Sequence, residues 1–200
     1  MKSFKVLCTG NPLDRGIAMA VKKVFPDADF ISRTNGFDLT FPNSGDEQRF
    51  RDKIKGYNVF INNAHIQRGT QEKLLRIVRE HWSEAHVFSI GSLDEHNKWT
   101  GPDMEYANEK RQLREASLEL GDESFKTTHI VVGGFQALTK GSDICMDPIH
   151  IAKTIEWILE ADFEVPLIAI EKASLHIRKY HQTIIETGEH PPESQERWSE

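Results

Sequence analysis

Tyr106 and Lys110 lie four residues apart in Tyr106-Ala107-Asn108-Glu109-Lys110, a spacing that puts both on one face of a helix. A lysine ammonium beside a tyrosine hydroxyl favours the phenolate and lowers the phenol's pKa. Such a phenol can give or take a proton near neutral pH. The plain alternative is an exposed helix-face pair. Ser92 stands fourteen residues before Tyr106, closing the apolar run Val87-Phe88-Ser89-Ile90-Gly91-Ser92. Open α/β sheets bind ligands beyond the carboxyl ends of their strands, and a serine there can hydrogen-bond a substrate oxygen. A third site is Thr9-Gly10-Asn11-Pro12-Leu13-Asp14-Arg15-Gly16-Ile17-Ala18, directly after the first apolar run. Glycines let the backbone turn tightly and approach a pyrophosphate. The helix that follows offers free N–H groups and a partial positive charge.

These residues need a scaffold. Short apolar runs occur at Phe4–Cys8, Ala28–Ser32, Asn58–Ile61, His86–Ile90, His129–Val132 and Pro166–Ile170. Continuous runs of this length suit parallel strands buried on both faces. Helix candidates alternate with them at Arg15–Phe25, Gly45–Lys55, Thr70–Trp82, Pro102–Leu120 and Asp147–Glu160. Ser44 and Glu47 make a capping box before the second helix, and Asp147-Pro148 opens the fifth. The expectation is an α/β, Rossmann-like, doubly wound and mostly parallel sheet with helices on both faces. Phe37–Thr40 reads as a strand stub, because only Thr34, Asn35 and Gly36 separate it from the previous run. A parallel neighbour needs about a dozen residues of crossover. One domain is expected over residues 1–172, with a C-terminal helix near Ala173–Glu186 and a polar, mobile tail within 173–200.

The 200 residues carry 25 Lys+Arg against 31 Asp+Glu, a formal charge of -6. With no basic run, nucleic acid is not an expected partner. No apolar stretch approaches a membrane span, so no membrane partner is expected either. Cytoplasm is the default compartment. Cys8 and Cys145 alone make neither a disulfide framework nor a four-ligand zinc site, and no metal is expected.

Taken together and in this order, the glycine turn, Ser92, Tyr106 and Lys110 resemble the short-chain dehydrogenase/reductase family. Asn62-Asn63-Ala64 is similar to the family's Asn-Asn-Ala-Gly, and Asp38-Leu39-Thr40 to its adenine-side Asp-Val-Thr. Gly133-Gly134 falls where the family has Pro-Gly. The resemblance implies that Tyr106 is the catalytic acid/base, that Lys110 depresses its pKa and binds the nicotinamide ribose, and that Ser92 orients a small carbonyl or alcohol substrate. It implies cofactor contacts at Gly10, Asn11, Arg15, Gly16, Ile17, Arg33, Asp38, Leu39, Asn63, Ala64, Lys110 and Gly134. It also implies a homo-oligomer, with the Pro102–Leu120 and Thr70–Trp82 helices as contact faces. Ser32-Arg33 ends the second run where NAD-preferring enzymes place an acid. Arg15 and Arg33 can grip a 2′-phosphate, so NADP(H) is favoured over NAD(H).

The sequence departs from the pattern at particular points. Five residues separate Gly10 from Gly16, Ala18 stands at the third glycine, and His65 replaces the glycine of Asn-Asn-Ala-Gly. The fourth-helix asparagine of many members has no evident counterpart. The substrate loop, Phe135–Met146, offers Gln136, Leu138, Thr139, Ile144 and Met146 as a mixed lining, with Asp94, His96, Asn97 and Trp99 as further candidates. The competing expectation is a dinucleotide-binding protein without catalysis, a sensor or scaffold.

Overall fold

The computed structural model describes residues 4–13, 16–66, 69–96, 104–133 and 146–171. Six strands form one parallel sheet: β1 (Val6–Thr9), β2 (Asp29–Ile31), β3 (Val59–Asn62), β4 (Ala85–Ile90), β5 (Phe125–Val132) and β6 (Leu167–Ile170). Their order across the sheet is β2-β1-β3-β4-β5-β6, and every pairing is parallel. The helices are α1 (Ile17–Val24), α2 (Ser44–Lys53), α3 (Thr70–His81), α4 (Met104–Leu120) and α5 (Ile149–Glu160), one in each crossover.

Alternating strand residues build two cores. Val6, Cys8, Val59, Ile61, Phe88, Ile90, Ile130 and Val132 face α1 and α5. Leu7, Ile31, Phe60 and Val87 face the opposite way, against Phe50 of α2, Leu74 and Val78 of α3 and Leu113 of α4. This is the doubly wound arrangement expected from the alternation of runs and amphipathic stretches. The chain winds from β1 outward to β2, then returns to place β3 on the other side of β1. That reversal opens a crevice at the carboxyl ends of β1 and β3, where doubly wound sheets take their ligands.

The stub at Phe37–Thr40 adds no strand, as its short connection required. Asp38 Oδ1 accepts from the Thr40 amide at 3.0 Å and the Thr40 hydroxyl at 2.7 Å, closing a local turn. Leu39 is then driven into the core beside Phe50 and Phe60. β2 is therefore the edge of the sheet.

Three boundaries differ from the sequence expectation. Asn43, not Ser44, caps α2, its Oδ1 accepting from the Asp46 amide at 3.0 Å. The helix starts one residue earlier, so Glu47 is turned outward to Arg51 and Lys73. β5 runs to eight residues because Phe125-Lys126-Thr127-Thr128 extends the apolar run at its start. Threonine suits a strand, and both hydroxyls are satisfied: Thr127 donates to the Ser117 carbonyl at 2.5 Å, and Thr128 meets His86 Nε2 at 2.9 Å. Finally, α5 begins at Ile149, with Asp147 Oδ1 accepting from its amide at 2.9 Å.

Candidate functional site

Thr9 closes β1 and ties it to β3. Its hydroxyl accepts from the Asn63 and Ala64 amides, each at 2.8 Å. Asn63 Nδ2 returns a bond to the Thr9 carbonyl at 3.0 Å. Gly10 turns at φ 124°, and a Cβ there would lie 2.9 Å from Asn63 Nδ2 and 3.1 Å from the Ala18 methyl. Glycine is therefore required by both backbone and space. Asn11 Oδ1 accepts from the Leu13 amide at 3.1 Å, continuing the turn. Gly16 precedes α1 at φ 109°, and no side chain caps the helix. No acid stands in its first turn, and among the described residues no carboxylate competes for its leading N–H groups. Ile17 sends its side chain into the core.

At the end of β2, Arg33 opens a 3-10 turn over Arg33–Asn35 and is exposed. Asp38 lies near enough for Arg33 to help lower its carboxyl pKa, after the larger effect of the Thr40 hydrogen bonds. Leu39 is a correction in one respect: its side chain is core, which leaves only its backbone for a ligand.

α4 runs antiparallel to the sheet strands it crosses between, so its first turn sits at the carboxyl edge. Tyr106 lies in that turn, near enough to Ser92, which follows β4, for the serine to favour its phenolate. The Ser92 hydroxyl also meets Asp94 Oδ2 at 3.1 Å and accepts from the Asp94 amide at 3.2 Å. Lys110, one helical turn on, is only 3% exposed. Its ammonium donates to Gln71 Oε1 at 2.7 Å and to the Ile90 carbonyl at 2.8 Å. It lies 5.5 Å from the Tyr106 ring centroid.

The structure thus brings Ser92, Tyr106 and Lys110 together, but their electrostatics differ from the expectation. Burial is the largest influence on Tyr106 and pushes its pKa up; Asp94 and Glu95 add to that, while Ser92 opposes it. Lys110 contacts the ring face and is not the group depressing this phenol. Burial pulls the Lys110 ammonium down to about 8, with the acids Glu95, Glu109 and Asp94 opposing.

His65, the replacement for glycine, neither crowds inward nor points away. Its ring meets Tyr106 edge-on at 4.7 Å, and its Nε2 lies 2.9 Å from Glu109 Oε2. His96 is largely exposed, 3.9 Å from Glu95 Oε1. Met146 is core rather than pocket lining, packed with the residues of α1 and α5. Arg15, Asn97, Trp99, Gly134 and Phe135–Cys145 lie outside the described residues, as does the C-terminal helix and tail.

Three site-shaping residues escaped the sequence reading. Thr9 opens the glycine motif, but nothing in the sequence marked its hydroxyl as the partner of Asn63 and Ala64. Gln71 begins α3 and is buried; its Nε2 donates to the Asn62 carbonyl at 2.7 Å, while its own carbonyl accepts from Asn62 Nδ2 at 2.7 Å. Glu95 is fully buried behind Ser92.

Among the described residues, no group of three or more histidines, cysteines or acids could hold a metal, and no helix is long and apolar enough to cross a membrane. No protein-family model matches the chain, and a search of curated proteins returned no match. Solved structures do match. A short-chain dehydrogenase from Streptomyces avermitilis aligns over 100% of both chains, with TM-score 0.64 and 16% identity. An alcohol dehydrogenase from the archaeon Thermococcus sibiricus, complexed with 5-hydroxy-NADP, aligns over 86% of this chain and 97% of its own, with TM-score 0.67 and 12% identity. The chain has the short-chain dehydrogenase fold. A 4-hydroxyisoleucine dehydrogenase complexed with NADH and succinate shares that fold at TM-score 0.60 and 18% identity, over 83% of this chain and 97% of its own. Within the short-chain dehydrogenase fold, Tyr106, Ser92 and the Gly10 turn all lie at the carboxyl edge of the sheet.

Proposed function

We propose that this protein is a nicotinamide-dependent oxidoreductase acting on a small carbonyl or alcohol compound. The observation that carries the reading is the convergence at the carboxyl edge of Ser92 after β4, Tyr106 in the first turn of α4, and the Lys110 ammonium 5.5 Å from the Tyr106 ring centroid. The dinucleotide-bound dehydrogenases of the same fold support it. The residues present fit such a cofactor. Gly10 turns the chain tightly against Asn63 and Ala18, and the start of α1, with no side-chain cap among the described residues, offers N–H groups to a pyrophosphate. Asn11, Gly16 and Ile17 would meet the cofactor through their backbones, Asn63 and Ala64 are tied beside the turn by Thr9, and Asp38 and Leu39, in the segment after β2, would meet its adenine side. Bound there, the nicotinamide supplies or accepts hydride.

This chain's own residues handle the proton. Ser92 holds the substrate oxygen, and Tyr106 gives that oxygen a proton on reduction or takes it on oxidation. Burial keeps the Tyr106 proton in place at neutral pH, which favours the donor role. Two of the three Lys110 N–H bonds go to Gln71 and Ile90, and the third serves a ribose hydroxyl. Arg33, exposed after β2, supports a preference for the 2′-phosphate of NADP(H). A Tyr106→Phe variant, assayed for NADPH oxidation over a panel of small aldehydes and ketones, is expected to lose about 10²–10⁴-fold in turnover while still binding cofactor. Unchanged turnover would remove the phenol from the reaction.

A second reading, dinucleotide binding without catalysis, is favoured by two observations. Lys110 is engaged with Gln71 and Ile90, and His65 covers an edge of Tyr106. Binding of NADPH with no turnover across the panel would select it.

A further inference from the structure

The carboxylate of Glu95 is completely buried, yet the proton chemistry assigned to Ser92, Tyr106 and Lys110 does not use it directly. It belongs to the 3-10 turn Leu93–His96, which follows β4. Its Oε2 lies 2.8 Å from His129 Nε2, and the His129 side chain is buried as completely. His129 sits in β5 beside Ser89 of β4. Arg114 of α4 approaches Glu95 Oε1 at 3.3 Å, and the Ser92 amide points to Oε2 at 3.5 Å. Arg111, also on α4, donates to the Glu95 backbone carbonyl at 3.5 Å.

Burying a carboxylate is expensive, and pairing it returns only part of the cost. The sequence around it is shaped to permit the pair. A Cβ on Gly91 would stand 2.3 Å from His129 Nε2 and 2.7 Å from Glu95 Oε2, so only glycine admits both side chains. His129 Nδ1 has no hydrogen-bond partner among the described residues, which leaves its contact with Glu95 as the ring's polar anchor. A well-packed apolar cluster would join this turn to β5 and α4 at least as firmly. A charge retained here, one residue contact from Ser92, points to a use for the charge.

We propose that Glu95 is a positioning residue: clamped by His129 and Arg114, it fixes the loop carrying Ser92 and sets a negative field on the proton-transfer pair. The inference rests on the proton-handling roles assigned above. Glu95 raises the pKa of Tyr106 and opposes the burial effect at Lys110. Other charges face the same groups. From its own turn, Asp94 acts on both Tyr106 and Lys110; from α4, Glu109 acts on Lys110. His65, after β3, touches the Tyr106 ring and pairs with Glu109, and His96 stands 3.9 Å from Glu95. Glu95 differs from these in being wholly screened from water, so its field is the least weakened by solvent.

The test is a pH titration of the Tyr106 phenol by tyrosine ring-carbon NMR in the protein without added ligand. Tyr106→Phe assigns the signal among the three tyrosines. Glu95→Gln keeps an acceptor for the Ser92 amide and removes the charge. It is expected to lower the pH of Tyr106 ionisation by about one unit. Arg114→Gln, a change at a partly exposed side chain, takes away the guanidinium that offsets Glu95 and is expected to move the same ionisation upward. If Glu95→Gln does not fold, Arg114→Gln decides alone. Ionisation at the wild-type pH in either folded variant would leave Glu95 a structural staple and overturn the proposal. The titration needs neither cofactor nor turnover, so a protein that fails to catalyse still gives a clear answer here.

Discussion

Lys110 shows how one buried side chain couples the site to stability. A lysine normally ionises near 10.4, and burial lowers this one to about 8. Between those values the unfolded chain holds a proton that the folded chain has released. Stability must therefore rise with pH across that window, by on the order of 3 kcal/mol, and be lower below it. Urea denaturation at pH 7.5 and pH 10 is expected to show this rise in wild type and not in Lys110→Met. A wild-type curve that is flat relative to Lys110→Met would mean the ammonium is not desolvated. At this scale the sequence was partly legible. Tyr106, Lys110 and Ser92 could be found because their spacing on helix and strand end is a local property. The direction of the Tyr106 pKa could not, because it depends on burial and on Asp94 and Glu95, brought in by a turn. Gln71 and Thr9 were hidden for the same reason: their partners are 39 and 54 residues away in the chain.

The elements were read from periodicity, and where they erred the cause is local polar chemistry. Six apolar runs became six strands and five amphipathic stretches became five helices. β5 outgrew its apolar run because Thr127 and Thr128 found partners in Ser117 and His86. The segment after β2 carries a different lesson. With too few residues for a crossover, it plugs the core instead of widening the sheet. Leu39 is 1% exposed and packs in the cluster of Phe50 and Phe60. Leu39→Ala is expected to cost about 2–5 kcal/mol in chemical denaturation, as for other large-to-small core changes. A loss below about 0.5 kcal/mol would show that this segment is not seated on the core.

For the whole molecule, the order β2-β1-β3-β4-β5-β6 matters more than any single side chain. It places the winding reversal between β1 and β3, with Gly10, Asn63 and Ala64 on its rim and the first turns of α1 and α4 facing it. Fold class and the location of the crevice were legible because βα alternation and right-handed crossovers leave few topologies. The substrate is not written in the same way, since the residues after β5 that would line its pocket carry no periodic signal. Neither composition nor net charge bears on cofactor choice, which in the proposed reading rests on the exposed Arg33 after β2. The central claim is that this crevice holds a nicotinamide dinucleotide. It is tested most directly by thermal denaturation of the wild-type protein with saturating NADPH, and in parallel with NADH. At about 100 times the dissociation constant, a ligand adds about 2.7 kcal/mol, which for a chain of this length raises Tm by about 5–10 °C. That rise is expected with NADPH, and a smaller one with NADH at the same concentration; no rise with either would exclude a dinucleotide from the crevice.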